Sequence, residues 1–285
     1  MLPAYEEMLE QVYRSILKPG DTAIDVGAHT GRHTVPIANA VGPTGKVFSF
    51  EPLPFAHQAL AKRLEETRTT TVTLHNFALG EDEGETEFTL VPEFPEYSGF
   101  KERTYHSDTL RTEKIKVQVR RLDFFAAQVG NPRYIKIDAE GGELTILRSG
   151  RALIAASQPI VSFELGNASL INYPYAAGDY FDFFAGLGYR VFSLFGLPLN
   201  REQFVKMAEQ QFFWDYVAIP AAEPWVFTHE HLQVMVQQLG AVDEHIRARA
   251  HAEARLSEVT HSRSWRLTEP LRRVKTAVGR ALKGP

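Results

Sequence analysis

The chain has 285 residues, 44% of them hydrophobic, a net charge of -4 and no cysteine. This is enough apolar material for one large packed core with an appendage, which sets aside a disordered or fibrous chain. Without cysteine there are no disulfides or thiolate metal sites, and the sequence has neither an apolar run of transmembrane length nor a basic-then-apolar start; a soluble, cytoplasmic protein is the expectation.

The charge is unevenly spread. From Ser262 onward seven basic residues face one acidic residue, which leaves 24 basic against 34 acidic before it. An acidic body argues against a nucleic-acid partner, because only the tail can meet phosphate.

In chain order, Leu2, Tyr5, Leu9, Val12, Tyr13 and Ile16 recur at helical spacing, so Pro3 to Leu17 is expected to form a helix packed on the domain, ended by Lys18-Pro19-Gly20. Thr22-Ala23-Ile24 then reads as a strand and Thr34 to Ala40 as a helix, joined by Asp25-Val26-Gly27-Ala28-His29-Thr30-Gly31. A strand, a glycine turn and a helix start make a cradle: Gly27 permits a sharp turn and close ligand approach, and the free N-H groups of the helix start face a polar group. Asp25 is expected at the strand tip, facing the ligand. The same pattern punctuates many strand-to-helix turns that bind nothing.

Val47-Phe48-Ser49-Phe50 reads as the next strand and ends in Glu51-Pro52, twenty residues after Gly31. An acid at that point can accept both hydroxyls of a ribose, although it also suits a solvated loop. A dinucleotide fingerprint needs a second glycine where His29 stands, and the glycine-lysine-serine/threonine signature of a P-loop is absent. S-adenosylmethionine, a nucleoside without phosphates, is left, and Asp25 can hold its ammonium end.

Phe55 to Thr67 is expected to be a helix, and Thr71 to Phe77 a third strand. Thr86 to Val91 and Lys114 to Arg120 alternate as a hairpin-like pair. The long insert between them, Pro92 to Glu113, contains Tyr97, Phe100, Arg103, Tyr105 and His106. Two readings stand for it: a lid that binds substrate through Tyr97, Arg103 and His106, or a mobile surface loop. Asp123 is expected to cap a helix from Phe124 to Val129. Tyr134 to Asp138 forms the following strand, with Lys136, Asp138 and Glu140 on one side if extension continues. A lysine in a central strand needs a partner, and the neighbouring carboxylates supply it. Glu143 stabilises the start of a helix from Leu144 to Ser149.

Ile24 to Gly31, Phe50-Glu51-Pro52, Asn76-Phe77-Ala78-Leu79-Gly80, Arg121-Leu122-Asp123 and Ile135 to Glu143 occur in that order, and over roughly Gly20 to Pro220 the sequence resembles the FkbM family of S-adenosylmethionine-dependent methyltransferases. The resemblance implies an O-methyltransferase acting on hydroxyls of sugars or polyketides. It implies cofactor contacts from Asp25, Gly27, Ala28, His29, Gly31 and Glu51, with adenine near Asn76 and Ala78. An asparagine amide can pair with an adenine edge, but at a strand end it also serves simply as a turn former. The resemblance does not carry the substrate.

Methyl transfer to a hydroxyl needs alignment and a proton acceptor. Asp138 and Glu140, with Lys136, are the candidate catalytic residues. Two routes stand: direct action of the carboxylates, or Mg2+ held by Asp138, Glu140 and Glu164 through oxygen ligands. An ion pair with Lys136 is the alternative role for Asp138, and no histidine has metal-ligand spacing; His29 and His33 read as cradle and helix-surface residues.

Ile160 to Glu164 forms the next strand, with Glu164 at its tip as a substrate contact, followed by a helix from Tyr180 to Leu187 and strands over Gly188 to Leu194 and Phe212 to Ile219. Apolar runs indicate strands buried on both faces. The expected fold is α/β, a doubly wound, mostly parallel seven-stranded sheet of the Rossmann-like methyltransferase kind. By resemblance its last strand runs antiparallel.

Residues 1-222 are expected to form this domain and 223-285 a helical extension. Leu232, Met235, Leu239, Val242 and Ile246 make a short coiled-coil-like seam, either a dimer contact or a face packed on the domain. The end of the chain carries Trp265, Leu267, Leu271 and Val274 among arginines. It suits either a membrane surface, where each basic residue gains roughly 1 kcal/mol near anionic lipid, or a disordered tail. Three functions compete: an O-methyltransferase for a sugar, nucleotide sugar or glycan in surface polysaccharide assembly; one for a small secondary metabolite; and a non-catalytic scaffold in a glycan-assembly complex.

Overall fold

In the computed structural model, the residues described are 5-91, 112-139, 141-166, 170-171, 173-211, 213-224 and 227. Tyr5–Leu232 form one compact unit. Helix α1 (Tyr5–Ile16) buries Met8, Leu9, Val12, Tyr13 and Ile16, the stripe expected from its spacing. Strands β1 (Thr22–Val26) and β2 (Lys46–Phe50) alternate with helices α2 (Thr34–Val41) and α3 (Pro54–Glu66), and β3 (Val72–His75) follows. Next come β4 (Ala78–Leu79), β5 (Gly84–Leu90) and β6 (Glu113–Arg120). A 3-10 turn (Leu122–Phe125) and the short α4 (Ala126–Val129) lead into β7 (Tyr134–Ile137). Helices α5 (Glu143–Ser149) and α6 (Arg151–Ser157), β8 (Ile160–Glu164), α7 (Ala177–Ala185), β9 (Tyr189–Ser193), β10 (Pro198–Leu199), α8 (Arg201–Glu209) and β11 (Asp215–Pro220) complete the domain.

The main sheet has eight strands in the order β10-β9-β11-β8-β7-β1-β2-β3. Its seven principal strands are those expected; the two-residue β10 adds an eighth at the edge, antiparallel to β9. β11 runs antiparallel to both β8 and β9. The buried strands β1, β2, β7 and β8 read as apolar runs because both faces are covered, whereas the edge strand β3 is only half-buried and shorter than its sequence suggested. The hairpin of β5 and β6 stands apart, with β4, as a second sheet in the order β4-β6-β5, and packs Phe88, Val117 and Val119 against Leu53, Ala56 and Ala78.

Two local expectations change. Asp123 does not cap its own turn: its carboxylate accepts from the N-H groups of Ala152 (3.2 Å) and Leu153 (2.8 Å), so it caps the start of α6, thirty residues on. Arg133 grips Glu223 through two guanidinium nitrogens (2.7 and 3.0 Å), and Phe227 packs beside Phe192, so the domain continues past the boundary expected at residue 222. The helical seam and the basic tail lie outside the described residues. Among the described residues no helix is long and apolar enough to cross a membrane.

Candidate active site

The chain order reverses on either side of β1, which pairs with β2 on one side and β7 on the other; ligands in such sheets bind at the carboxyl ends of the strands at this point. Strand register determines which residues meet there. Val26 lies beside Phe50 and Ile137, and Ile137 beside Phe163. One residue further on, Glu51, Gly27, Asp138 and Glu164 reach the same edge, and Asp215 joins as the antiparallel partner of Glu164.

A cavity of about 250 Å3 opens on this row, just under the usual range of roughly 300-1,000 Å3 for ligand sites. Phe50, Leu53, Phe77, Leu79, Phe88 and Ile146 line it together with Glu6, Arg32, His33, Lys136 and Asp138. Glu51 lies in the wall with Gly27, Ala28, His29 and Ala78.

The turn after β1 is held tightly. Gly27 has φ +74°, and a Cβ there would sit 1.7 Å from the Asp138 carbonyl oxygen. The close approach that requires glycine is therefore made by the β7 end of the chain, not by a ligand. Gly31, at φ +85°, does not line the cavity; a Cβ there would strike Leu60, so it seats the turn on α3. His29 adopts the left-handed φ of 45°. Its N-H donates to Glu51 Oε2 at 2.7 Å, which holds that conformation, and its ring meets Phe55 edge-on.

Glu51 is 3% exposed, and its other oxygen accepts from the Leu53 N-H at 2.8 Å. Each oxygen retains a lone pair, the requirement for holding a ribose diol. Burial raises its pKa to about 7 despite these two bonds, and Asp25 adds a like charge. Asn76 is a correction to the adenine expectation. It does not line the cavity, and its Nδ2 donates to the carbonyls of Glu51 (2.8 Å) and Pro52 (3.1 Å), fixing the acidic loop.

Asp25 is a second correction. It is fully buried, does not line the cavity and cannot face a ligand; Oδ2 accepts from the Thr34 hydroxyl at 2.6 Å, and Oδ1 lies 3.7 Å from Lys136 Nζ. Lys136, 2% exposed, reaches up from the same level to Asp138 Oδ2 at 3.2 Å. Burial opposes its charge, but Asp138 and Asp25 outweigh that and hold it well above the ordinary lysine range. In return Lys136, joined by a hydrogen bond from Glu164, overrides the burial of Asp138 and holds its carboxyl below the usual range. Burial, with Asp138 and Glu6 adding like charge, outweighs the attraction of Lys136 and raises Asp215 to about 8.

Glu143 is fully buried, and its Oε1 accepts from the N-H groups of Ala139 and Gly141, so it clasps the loop between β7 and α5. Glu140 in that loop, and Tyr97, Arg103 and His106 of the expected lid, lie outside the described residues. So does the third ligand of the expected Mg2+ set; Asp138 and Glu164 adjoin, but among the described residues no group of three or more His, Asp or Glu has metal-holding geometry.

The structure thus gathers Gly27, Ala28, His29, Glu51, Ala78, Lys136 and Asp138 around one cavity, with Glu164 behind Asp138. It also brings in residues that sequence reasoning missed. His33, expected on a helix surface, is 5% exposed; its Nδ1 meets the Tyr13 hydroxyl at 3.2 Å and its Nε2 meets Glu6. Phe88 arrives from the side sheet. Alternation in β5 marks it as inward-facing, but nothing local says that its interior is this cavity.

Several known proteins resemble this chain. The family model of the methyltransferase FkbM domain matches residues 25–191. Methyltransferase 1 of Beauveria bassiana (strain ARSEF 2860) is 24% identical over 160 residues, 50% of this chain and 64% of that protein. A methyltransferase FkbM from Methylobacillus flagellatus KT is 16% identical with a TM-score of 0.43, over 76% of this chain and 56% of that one. Aeropyrum pernix fibrillarin, solved with natively bound S-adenosyl-L-methionine, is 10% identical with a TM-score of 0.41, over 74% and 73% of the two chains. The chain therefore spans less than two thirds of the first two proteins. The family match covers more than half of the chain and runs from Asp25 in the cradle through the acidic row to β9; this protein belongs to the methyltransferase FkbM domain family.

Proposed function

We propose that the protein is an S-adenosylmethionine-dependent O-methyltransferase that acts on a hydroxyl of a sugar, nucleotide sugar or glycan. The observation that carries this reading is the pairing of Glu51 and Asp138 on either side of Gly27 at the rim of one cavity. The residues suit the cofactor. Apolar walls from Phe50, Phe77, Leu79 and Ile146 accept a purine, and the spare lone pairs of Glu51 accept two ribose hydroxyls. S-adenosylmethionine, when bound, supplies a methyl group on a positively charged sulfur that an oxygen can displace in line.

The chain's own work is positioning and proton removal. Asp138, kept ionised by Lys136, accepts the acceptor's hydroxyl proton at its carboxylate as the oxygen attacks. Lys136 orients that carboxylate, and Glu164 braces it from the next strand. Asp138 lines the cavity, and Glu164 and Asp215 follow it along the same sheet edge, a row of carboxyl groups that suits a polyhydroxylated acceptor.

Calorimetric titration with S-adenosylmethionine tests the first half: micromolar binding lost in Glu51→Ala is expected, and no binding at millimolar cofactor would overturn it. Nucleotide sugars and glycans are then assayed for methylation with and without Mg2+, because Glu140 is the ligand on which a metal route depends. Failure of every sugar while a polyphenol or polyketide is methylated would redirect the substrate class. The same reading sets the enzyme in the cytoplasm, with the basic tail peripheral at the inner membrane face and the helical seam expected from the sequence joining a second copy or a glycan-assembly partner. The composition after residue 223 supports it.

A further inference from the structure

Among the described residues five large hydrophobic side chains stay exposed, and three of them belong to neighbouring connections: Ile171, Leu197 and Trp214, at 74%, 50% and 45% exposure. Ile171 follows β8, Leu197 follows β9 and Trp214 precedes β11. β11 lies between β8 and β9 and runs antiparallel to both, so all three connections leave the sheet at one edge, the carboxyl edge that holds Asp138. Single apolar residues scattered on a surface need no explanation. Three on adjacent connections at the edge where the acceptor must arrive do.

Two of these side chains are held from behind. A Cβ on Gly166 would lie 3.0 Å from the Trp214 ring, so the indole rests on the backbone just past Glu164, and the Leu165 N-H donates to the Trp214 carbonyl at 2.8 Å. The Leu197 N-H donates to Ser193 Oγ at 3.3 Å and its carbonyl accepts from the Ser193 N-H at 3.0 Å, which closes the turn that presents the leucine. A fixed indole flanked by branched aliphatic side chains is the composition found where lipid meets water.

The course of the chain points the same way. Phe227, the last described residue, packs on that turn: a Cβ on Gly196 would meet its ring at 3.1 Å, and its centroid is 5.7 Å from that of Phe192. Beyond it the sequence runs to the end that carries Trp265, Leu267, Leu271 and Val274, with seven basic residues against one acidic from Ser262 onward. The carboxyl groups of the sheet edge cannot attract an anionic headgroup, whereas these cations can. The stretch that bears them is tied to the domain beside Leu197.

We propose that Ile171, Leu197 and Trp214 form an interfacial face that seats the carboxyl edge of the sheet on an anionic lipid surface, so that the acceptor reaches Asp138 as the sugar of a lipid-borne glycoside. The acceptor half rests on the sugar reading above; the lipid contact stands apart from it. Trp214 adjoins Asp215 in the chain and Glu164 lies just before Leu165 and Gly166, so the carboxyl row begins within about 7 Å of chain from the interfacial residues. That matches the roughly 5-10 Å depth of the headgroup boundary. A sugar anchored by its hydrocarbon chain meets the row without leaving this layer.

The test is co-sedimentation of the whole chain with vesicles of equal parts phosphatidylcholine and phosphatidylglycerol. Wild type should bind. Leu197→Asp and Ile171→Asp, both at exposed positions and checked by an unchanged melting temperature, should each lower the vesicle affinity about fivefold or more, and the double variant further. Wild-type affinity in the double variant would overturn the lipid face and leave the binding to the basic end alone. Absence of wild-type binding would overturn it too, as would a self-associated species that Leu197→Asp dissolves, because a second copy then covers the face. The acceptor half is read separately, by label transfer from S-adenosylmethionine to dodecyl glucoside and dodecyl galactoside in the same vesicles, against methyl glucoside and methyl galactoside in solution. Faster methylation of the dodecyl glycosides, slowed in the double variant, is expected. Equal or faster methylation of the methyl glycosides, or methylation of none, would overturn the acceptor half with the lipid contact standing. Failure of the cofactor titration described above marks the separate failure of the methyltransferase reading.

Discussion

Glu51 and Asp138 reach the same sheet edge on either side of β1, Glu51 3% exposed and the Asp138 side chain 34% exposed, and their acidities diverge. Glu51 is raised to about 7 by burial, which outweighs the support its charge receives from the N-H groups of Leu53 and His29 and, more weakly, from Lys136. Asp138 is held below the usual range although burial opposes it, because Lys136 stands 3.2 Å away. One buried cation, placed by strand register, pairs with Asp138 and reaches Glu51 only weakly, so the two carboxyls differ in acidity. Residue type alone does not distinguish them.

The sharpest way to break this comparison is to neutralise the Asp138 side. Asp138→Asn keeps the shape and removes the proton acceptor, so turnover should fall by about 10²-10⁴ with cofactor affinity nearly unchanged; steady-state kinetics beside calorimetry would show it, and full turnover would sink the assignment. Removing the cause of the divergence comes next. Lys136→Met leaves Asp25 and Asp138 without their cation, and a broken buried ion pair should cost about 3-5 kcal/mol of folding stability, read as a lower denaturant midpoint.

The Glu51 side is sharpened by pH. Its raised pKa means that the folded protein prefers the protonated acid, so this group's contribution to stability is present below the ordinary glutamate range and lost as pH rises through about 7. Ligand binding runs the other way, because ribose hydroxyls donate to the ionised form. Methylthioadenosine affinity should tighten about tenfold from pH 6 to pH 8, and Glu51→Gln should flatten that dependence. The smallest effect belongs to the loop beneath. Asn76→Ala removes two bonds to the Glu51 and Pro52 carbonyls and should cost about 1 kcal/mol in a thermal or denaturant melt, with only a slight loss of cofactor affinity.

Sequence by itself determined the elements whose signal is local. Apolar runs announced β1, β2, β7 and β8, the stripe of α1 announced its buried face, and alternation put Lys136 and Asp138 on one side of their strand, because periodicity is written residue by residue. It also singled out Glu51, an acid at a strand end. Tertiary structure alone decided what depends on which distant segment arrives. The Asp138 carbonyl, not a ligand, crowds Gly27; Asp25 lies under the site instead of in it; and Asn76 spends its donors on the chain. Asp123 caps a helix it does not precede, and Glu6, His33 and Phe88 meet at one cavity from three separate elements. Such contacts span tens of residues and leave no periodic trace, so they exist only once the sheet register has closed.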